Sequence, residues 1–323
     1  MKLAKMYPFL KNDILMIEQS LNDTIQADHP VLREASTQLL QAGGKRIRPI
    51  FVLLAGKFGH YDIERMKYVA VALELIHTAS LVHDDVIDDA ELRRGQPTIK
   101  AKWDNRIAMY TGDYIFARAL EYLSNLANPK AHQILSETIV ELCVGEIEQI
   151  KDKYEFQQQL RTYLRRIQRK TALLIAASCR LGAVAADATP EVERALYWYG
   201  YYVGMSYQII DDVLDFTSTE AKLGKPAGSD LMQGNITLPV LYAMDHDPSL
   251  YREELYKLET HTPTKQEMDR IIQRIKATGA IDYSLTISDK YLDKALIAAK
   301  SLPSQKERQT LINIAKYIGK RKS

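Results

Sequence analysis

The chain has 323 residues, of which 46% are hydrophobic and 26% charged, and this ordinary globular balance excludes an intrinsically disordered protein. Lys and Arg number 43 against 41 Asp and Glu, and the net charge of +2 gives no overall basic field of the kind that nucleic-acid-binding proteins carry. Two cysteines cannot form a disulfide framework, and the charged N-terminus lacks the apolar run of a secretory signal, which together predict a soluble cytoplasmic protein.

Helical periodicity runs along almost the whole chain, and only 15 Gly and 11 Pro residues interrupt it. It predicts helices over 31–41, 50–58, 63–88, 107–126, 131–153, 156–181, 191–216 and 238–244, with further amphipathic helices up to residue 317. No long linker or internal repeat divides the pattern, and the final KYIGKRKS is expected to be a solvated end. The sequence therefore predicts one all-α domain over residues 1–323, with ten or more helices.

Two of the predicted helices are apolar on almost every face and end in aspartates, DDVID at 84–88 and DDVLD at 211–215. Residues i and i+4 share a helix face, so Asp84 lies beside Asp88 and Asp211 beside Asp215. Their mutual repulsion and partial burial call for a cation, and hard oxygen ligands suit Mg²⁺ that keeps waters and shares substrate phosphates. One such cluster is typical of a solvated helix end, whereas two on apolar helices favour metal sites.

Basic residues flank both clusters. The candidate phosphate ligands are Lys45 and Arg48 in GGKRIRP, Arg93 and Arg94 after the first cluster, Lys170 inside an apolar helix, and Lys225 after the second cluster. Each alone is typical of surface solvation except Lys170, whose charge needs a partner among its apolar neighbours. His77, two turns before Asp84, and Gln208, one turn before Asp211, are by themselves typical of hydrogen-bonded core residues.

Together these segments resemble the motifs of the trans-polyprenyl diphosphate synthases. The matching segments follow the family's order and are GGKRIRP (43–49), HTASLVHDDVIDDAELRRG (77–95), KT (170–171), YQIIDDVLDF (207–216) and GKPAGSDLMQGNITLP (224–239). Many relatives carry a lysine where this chain has Asn235, and this departure resembles the large catalytic subunit of the two-component members.

The resemblance implies an isoprenoid-synthase bundle around a central cavity and a Mg²⁺-dependent prenyltransferase. It implies that Asp84, Asp88 and Asp211 hold Mg²⁺, with Asp85, Asp212 and Asp215 nearby, and that these three ligands and Lys170 act in catalysis. It assigns isopentenyl diphosphate to Lys45, Arg48, His77 and Arg94, and the allylic prenyl diphosphate to Arg93, Lys170, Thr171, Gln208 and Lys225.

The resemblance also implies a long all-trans product, with heptaprenyl as the expected length and a menaquinone side chain as its destination. Ala79 and Ser80 agree with this, because short-chain members place a large aromatic residue about one turn before the first aspartate. The expected partner is a small second subunit (component I) in a heterodimer, with no nucleic acid and at most peripheral membrane contact. The alternatives are a homodimeric hexaprenyl or octaprenyl synthase and a class I terpene cyclase, which would not need the intact second cluster or the basic segment at 43–49.

Overall fold

The computed structural model describes residues 6–41, 43–93, 95–218 and 226–321, and α-helices dominate them. In the first half of the chain they are α1 (Lys11–Thr24), α2 (Pro30–Gln41), α3 (Ile47–Gly56), α4 (Ile63–Ile87), α5 (Ile99–Lys102), α6 (Asn105–Leu123) and α7 (Pro129–Lys151). In the second half they are α8 (Leu160–Ile167), α9 (Leu173–Ala185), α10 (Pro190–Thr217), α11 (Ser229–Met232), α12 (Leu238–His246), α13 (Pro248–Glu253), α14 (Lys265–Ala277), α15 (Ala280–Lys300) and α16 (Lys306–Gly319). The prediction of an all-α protein with ten or more helices is confirmed.

Side-chain caps explain where several of these helices begin. Asp62 accepts the backbone N–H of Glu64 at the start of α4, and Asp104 accepts that of Ile107 at the start of α6. At α14, Thr264 and Glu267 form a capping box in which each side chain accepts the other residue's backbone N–H. Polar residues that lie just before the amphipathic segments therefore determine where these helices begin.

Two helix predictions need correction. The helix expected over 156–181 begins only at Leu160, because Glu155 accepts the backbone N–H of Gln157 and its carbonyl accepts Gln158 Nε2, which forms a turn. The same segment contains a π-helical turn at Gln168–Ala172 before α9 begins. Helix α1 lies outside the predicted ranges, although buried Ile17 and Leu21 already have helical spacing in the sequence.

A hairpin follows α4, and its two strands of two residues each are the β-strands found within the described residues. Its strands are β1 (Leu92–Arg93) and β2 (Gln96–Pro97), which pair antiparallel with Arg93 opposite Gln96. Gly95 lies between them with φ 76°, a left-handed conformation that glycine adopts without steric cost. The hairpin places Arg93 a short distance beyond the first aspartate cluster.

The chain groups into two compact units, each with its own apolar core. The first comprises Met1–Glu137, Ala177–Tyr197 and Leu302–Leu311, and in it α4 packs along α3 and α6. The second comprises Thr138–Ala176, Trp198–Ser301 and Ile312–Ser323, with a core that includes Tyr163, Phe216 and Ile275. A single domain over residues 1–323 stays a prediction.

The helices of the described ranges include no candidate for a membrane span. None of the helices there combines the length and the apolar composition that crossing a bilayer requires.

In the second unit, Arg274 of α14 ties together the junction of α12 and α13. Its Nε donates to Asp247 Oδ2 at 2.6 Å, and its Nη1 donates to Glu253 Oε2 at 2.6 Å. The hydrogen bonds from Arg274 and then Ser249 lower the pKa of Asp247 to about 2. The folded chain therefore holds this carboxylate ionised at a pH where it would be protonated in the unfolded chain.

We expect Asp247→Asn to lower the unfolding temperature at neutral pH and to have less effect in acid. Because the pKa of Asp247 is depressed by folding, its stabilising effect is present above the unfolded pKa of about 4 and is lost as the pH falls towards 2. Thermal unfolding of the wild type and the variant between pH 7 and pH 3 measures the difference. The exposed Asp245, changed to Asn, is the control, and a wild-type–variant gap that stays constant down to pH 3 would contradict the prediction.

Candidate active site

The three aspartates of the first cluster, Asp84, Asp85 and Asp88, lie at the C-terminal end of α4 in two different environments. The backbone N–H of Asp88 donates to the carbonyl of Asp84 at 2.8 Å, so these two residues lie one turn apart on one face, and both are half-buried. Asp85 is only 3% exposed, and its Oδ1 accepts Arg93 Nε and Nη2, each at 2.8 Å. Burial raises the pKa of Asp85, and the pairing with Arg93 opposes that shift.

The aspartate that follows this cluster has a separate partner. Asp89 has a left-handed backbone with φ 52°, and its side chain pairs with Lys100, which also donates to Glu91 at 3.2 Å. Asp89 is 88% exposed and therefore lies apart from the pair formed by Asp84 and Asp88.

A small cleft in the first unit brings together two of the predicted diphosphate ligands, His77 and Arg93. It is lined by Leu39, Gly43, Arg46, Glu74, His77, Thr78, Leu81 and Arg93. His77 and Arg93, which the resemblance assigns to different diphosphates, thus lie at the same cleft, next to the glycine loop that carries Lys45. Lys45 is exposed and Arg48 is half-buried in the first turn of α3. Arg94 lies outside the described residues.

In the second cluster, a chain of hydrogen bonds holds the middle aspartate. Tyr163 is fully buried in α8, and its hydroxyl donates to Asp212 Oδ2 at 2.7 Å. Gln208 Nε2 donates to Asp212 Oδ1 at 2.8 Å, and Gln208 Oε1 accepts the Thr171 hydroxyl at 2.7 Å. Burial, followed by the charge of Asp230, raises the pKa of Asp212 to about 7. The predicted residues Thr171 and Gln208 therefore belong to one network, and Tyr163 is a member that sequence reasoning missed.

The outer aspartates of the second cluster differ in exposure. The Asp211 side chain is 51% exposed, whereas Asp215 is buried and its Oδ2 accepts the backbone N–H of Asp230 at 3.2 Å. Both clusters thus share one arrangement, in which the second aspartate is buried and fixed by protein donors, while the first is half-buried (Asp84) or exposed (Asp211). Lys225, in the loop after this cluster, lies outside the described residues.

Lys170 lies in the π-helical turn between α8 and α9. Its Nζ donates to Gln149 Oε1 at 2.9 Å and lies 3.9 Å from Glu146 Oε2, so its charge is partnered by α7. The turn packs closely on α10, because a Cβ on Gly204 would lie 2.5 Å from Ala172 Cα. This packing fixes the backbone on which Lys170 and Thr171 are presented.

The C-terminal segment corrects the expectation of a solvated end. Helix α16 continues to Gly319, and the backbone N–H of Arg321 donates to Ile318 O at 3.0 Å. The Arg321 guanidinium lies 4.7 Å from the centre of the Tyr207 ring, and its Nη2 is 3.5 Å from Asp211 Oδ1. Stacking and charge therefore hold the chain end, as far as it is described, against α10, which the sequence pattern did not indicate.

The donor set of the clusters fits Mg²⁺. Within the described ranges, no group of three or more Asp, Glu, His or Cys side chains converges on a possible metal position. Asp84 and Asp88 instead offer a pair of carboxylates on one face, and Asp211 offers a single exposed one. Mg²⁺ is commonly held by one or two carboxylates, with water and substrate phosphate supplying its other oxygens.

Comparison with known proteins agrees with this geometry. The polyprenyl synthetase family matches residues 29–275. The chain is 63% identical to heptaprenyl diphosphate synthase component 2 of Bacillus subtilis, covering 100% of this chain and 92% of that protein. It is 62% identical to the protein of the same name from Geobacillus stearothermophilus, covering 99% of both.

Solved structures give the same result for the fold. A heptaprenyl diphosphate synthase from Staphylococcus aureus superposes with a TM-score of 0.91 at 45% identity, covering 97% of this chain and 99% of that one. A polyprenyl synthase from Caulobacter crescentus, complexed with calcium and isoprenyl diphosphate, gives 0.94 at 31% identity over 100% and 98% of the two chains. The helical bundle, the paired aspartate clusters and these matches agree, and the chain belongs to the polyprenyl synthetase family.

Proposed function

We propose that this prenyltransferase extends an allylic prenyl diphosphate, such as farnesyl diphosphate, with isopentenyl diphosphate units in a Mg²⁺-dependent reaction. Its proposed product is all-trans heptaprenyl diphosphate, made for the side chain of menaquinone. The observation that carries the reaction type is the arrangement shared by the two aspartate clusters, in which Asp85 and Asp212 are buried and tied to protein donors while Asp84 and Asp211 are partly solvent-exposed. Mg²⁺ that carries a diphosphate is commonly held by one or two carboxylates, and partly exposed aspartates such as these can supply them.

Each predicted site residue has a proposed role, and the surroundings of several of the described ones support it. Asp84, Asp88 and Asp211 would hold Mg²⁺, which supplies charge neutralisation on the leaving diphosphate. For the allylic diphosphate the proposed ligands are Arg93, Lys170, Thr171, Gln208 and Lys225. For isopentenyl diphosphate they are Lys45, Arg48, His77 and Arg94. Arg93 and Lys170 already have acceptors in Asp85 and Gln149, which orient them before substrate binds.

The chemistry requires charge stabilisation and the exclusion of water. Cationic side chains stabilise the charge that develops on the departing diphosphate, and the allylic C–O bond ionises. The double bond of isopentenyl diphosphate then attacks the allylic carbon, and loss of a proton to the diphosphate completes the five-carbon extension. No protein nucleophile is needed, because the electrons of the new bond come from the double bond of isopentenyl diphosphate.

The product length and the second subunit rest on the relatives. The two relatives at 63% and 62% identity are named component 2, which indicates that each works with another component. We propose that this chain likewise needs a small component I to make long products. Its cytoplasmic location stays a prediction from the sequence.

We expect the purified chain alone to be nearly inactive and a small component I to restore synthesis by at least about a hundredfold. The assay incubates labelled isopentenyl diphosphate, farnesyl diphosphate and Mg²⁺ with the chain, with and without component I. Product length is then read by mass spectrometry after dephosphorylation.

The outcomes separate the alternatives. Full activity of the chain by itself would indicate a homodimeric synthase and contradict the need for a partner. A cyclic hydrocarbon from farnesyl diphosphate alone would indicate a terpene cyclase and contradict chain elongation. Omitting Mg²⁺ and adding a chelator is the control, and elongation that persists under those conditions would contradict the proposed metal dependence.

A further inference from the structure

Arg46 stands between Lys45 and Arg48 in the basic segment at 43–49, but its environment differs from theirs. It is the residue before α3 and has a left-handed backbone, with φ 47° and ψ 38°. This conformation is unfavourable for a residue with a side chain, so the surrounding contacts must hold it. Only 11% of its side chain is exposed, whereas Lys45 is exposed.

The Arg46 guanidinium joins three helices. Its Nε and Nη2 donate to the two carboxylate oxygens of Glu18 in α1, at 2.6 and 3.1 Å. Its Nη1 donates to Glu74 Oε1 in α4 at 3.1 Å, and its Nη2 also donates to Leu40 O in α2 at 3.2 Å. Burial alone would lower the pKa of Arg46, but its bonds and charge pairing with Glu18 and Glu74 raise it, so the guanidinium stays charged.

This anchor lies at the cleft described above. Arg46 and Glu74 both line it, together with Gly43, His77 and Arg93. Glu74 precedes His77 by one turn of α4, so the bond from Arg46 ties the loop that carries Lys45 to the turn that carries His77. The two acidic groups that face Arg46 make its own position unfavourable for a diphosphate.

We propose that Arg46 is a positioning residue of the isopentenyl diphosphate site, which holds Lys45 and Arg48 at the cleft through Glu18 and Glu74 and does not itself bind substrate. This inference rests on the function proposed above. A guanidinium has five N–H donors, and the contacts to Glu18, Glu74 and Leu40 occupy four of them. Removing either side of the anchor should therefore loosen the same loop.

The test compares Arg46→Ala, Glu18→Gln and the double variant. We expect Arg46→Ala to raise KM for isopentenyl diphosphate about tenfold and Glu18→Gln about threefold to fivefold, with kcat and KM for farnesyl diphosphate within about threefold of wild type. The double variant should match Arg46→Ala within about twofold, because both changes break one anchor. Calorimetry of isopentenyl diphosphate binding to each protein, assembled with its component I where activity requires one, is run beside the assay.

A matched control and a milder variant complete the design. Arg65, in the first turn of α4, forms a similar two-bond pair with Asp187, at 2.5 and 3.2 Å, and Arg65→Ala should leave KM for isopentenyl diphosphate unchanged. Arg46→Lys keeps the positive charge but loses the planar guanidinium that binds both carboxylates, and it should give an intermediate KM for isopentenyl diphosphate. If Arg46→Ala does not fold, Arg46→Lys with and without Glu18→Gln carries the comparison.

Three results would overturn the proposal. If Glu18→Gln leaves KM and the calorimetric Kd unchanged while the Arg46 variants weaken binding, Arg46 contacts the diphosphate directly. If the effects of the two changes multiply in the double variant, they do not act through one anchor. A wild-type enzyme without elongation would refute the proposed function, while the Kd values would still decide the role of Arg46. A wild-type chain that fails to bind isopentenyl diphosphate refutes both.

Discussion

Replacing Asp84 by asparagine should lower kcat/KM for chain elongation by at least about a thousandfold. Asp84 and Asp88 form the one pair of half-buried carboxylates on the last turn of α4, since Asp85 is committed to Arg93. The amide keeps the size of the side chain but removes the charge that would hold Mg²⁺ on the allylic diphosphate. The assay measures initial rates with component I at saturating Mg²⁺, and Mn²⁺ binding followed by electron paramagnetic resonance reports the metal site without turnover.

The matched control is the same substitution at Asp89. Asp89 is 88% exposed, pairs with Lys100 and has φ 52°, a conformation that asparagine adopts more readily than most residues. We expect Asp89→Asn to keep kcat/KM within about twofold of wild type. An Asp84→Asn enzyme that retains more than a tenth of the wild-type activity, with unchanged Mn²⁺ binding, would contradict the assignment of Asp84 to the metal.

The periodic part of the fold could be predicted because burial repeats with the helix. Segments such as 63–88 and 191–216 were predicted nearly to their ends, observed at Ile63–Ile87 and Pro190–Thr217. The π-helical turn at Gln168–Ala172 left no such signal, because an inserted residue shifts the period by less than a short window resolves. The turn depends instead on close packing against Gly204, which a sequence period does not record.

The residues of the candidate site likewise divide into those that a local sequence pattern predicts and those that it does not. Asp84, Asp88 and Asp211 are recognisable because the pattern of charges at the end of an apolar helix is local. Tyr163 is 49 residues from Asp212, and nothing in the basic segment around it shows that its hydroxyl meets that carboxylate. Arg46 resembles its basic neighbours in sequence, and only its left-handed backbone and its buried partners distinguish it. The local sequence pattern thus identifies the aspartates of the two clusters. Residues such as Tyr163 and Arg46, which hold other site residues in place, are recognised only from their long-range partners.

The second large effect that we expect is a change of product length on substitution of Ser80 in α4. Ala79 is 1% exposed and packed, so a phenylalanine there would strain the core by about 1–3 kcal/mol. Ser80 is half-buried, one turn before Asp84, and its hydroxyl donates only to His77 O in its own helix at 2.9 Å. A ring at Ser80 therefore has more room than one at Ala79 and would lie one turn below the aspartate pair, on the path that we expect the growing chain to take.

We expect Ser80→Phe to shorten the main product made from farnesyl diphosphate to about 20 carbons, because a ring at this depth blocks the path after the first condensation. Ala79→Phe should shorten it as well, with a lower unfolding temperature. Ile63→Phe places the same ring at the other end of α4, about 26 Å along the helix axis, and should leave the product length unchanged. Products made with component I are compared by mass spectrometry. If Ser80→Phe still makes heptaprenyl chains at the wild-type proportion, the growing chain does not pass Ser80. The length would then be set elsewhere, either in the remainder of this chain or by the second subunit.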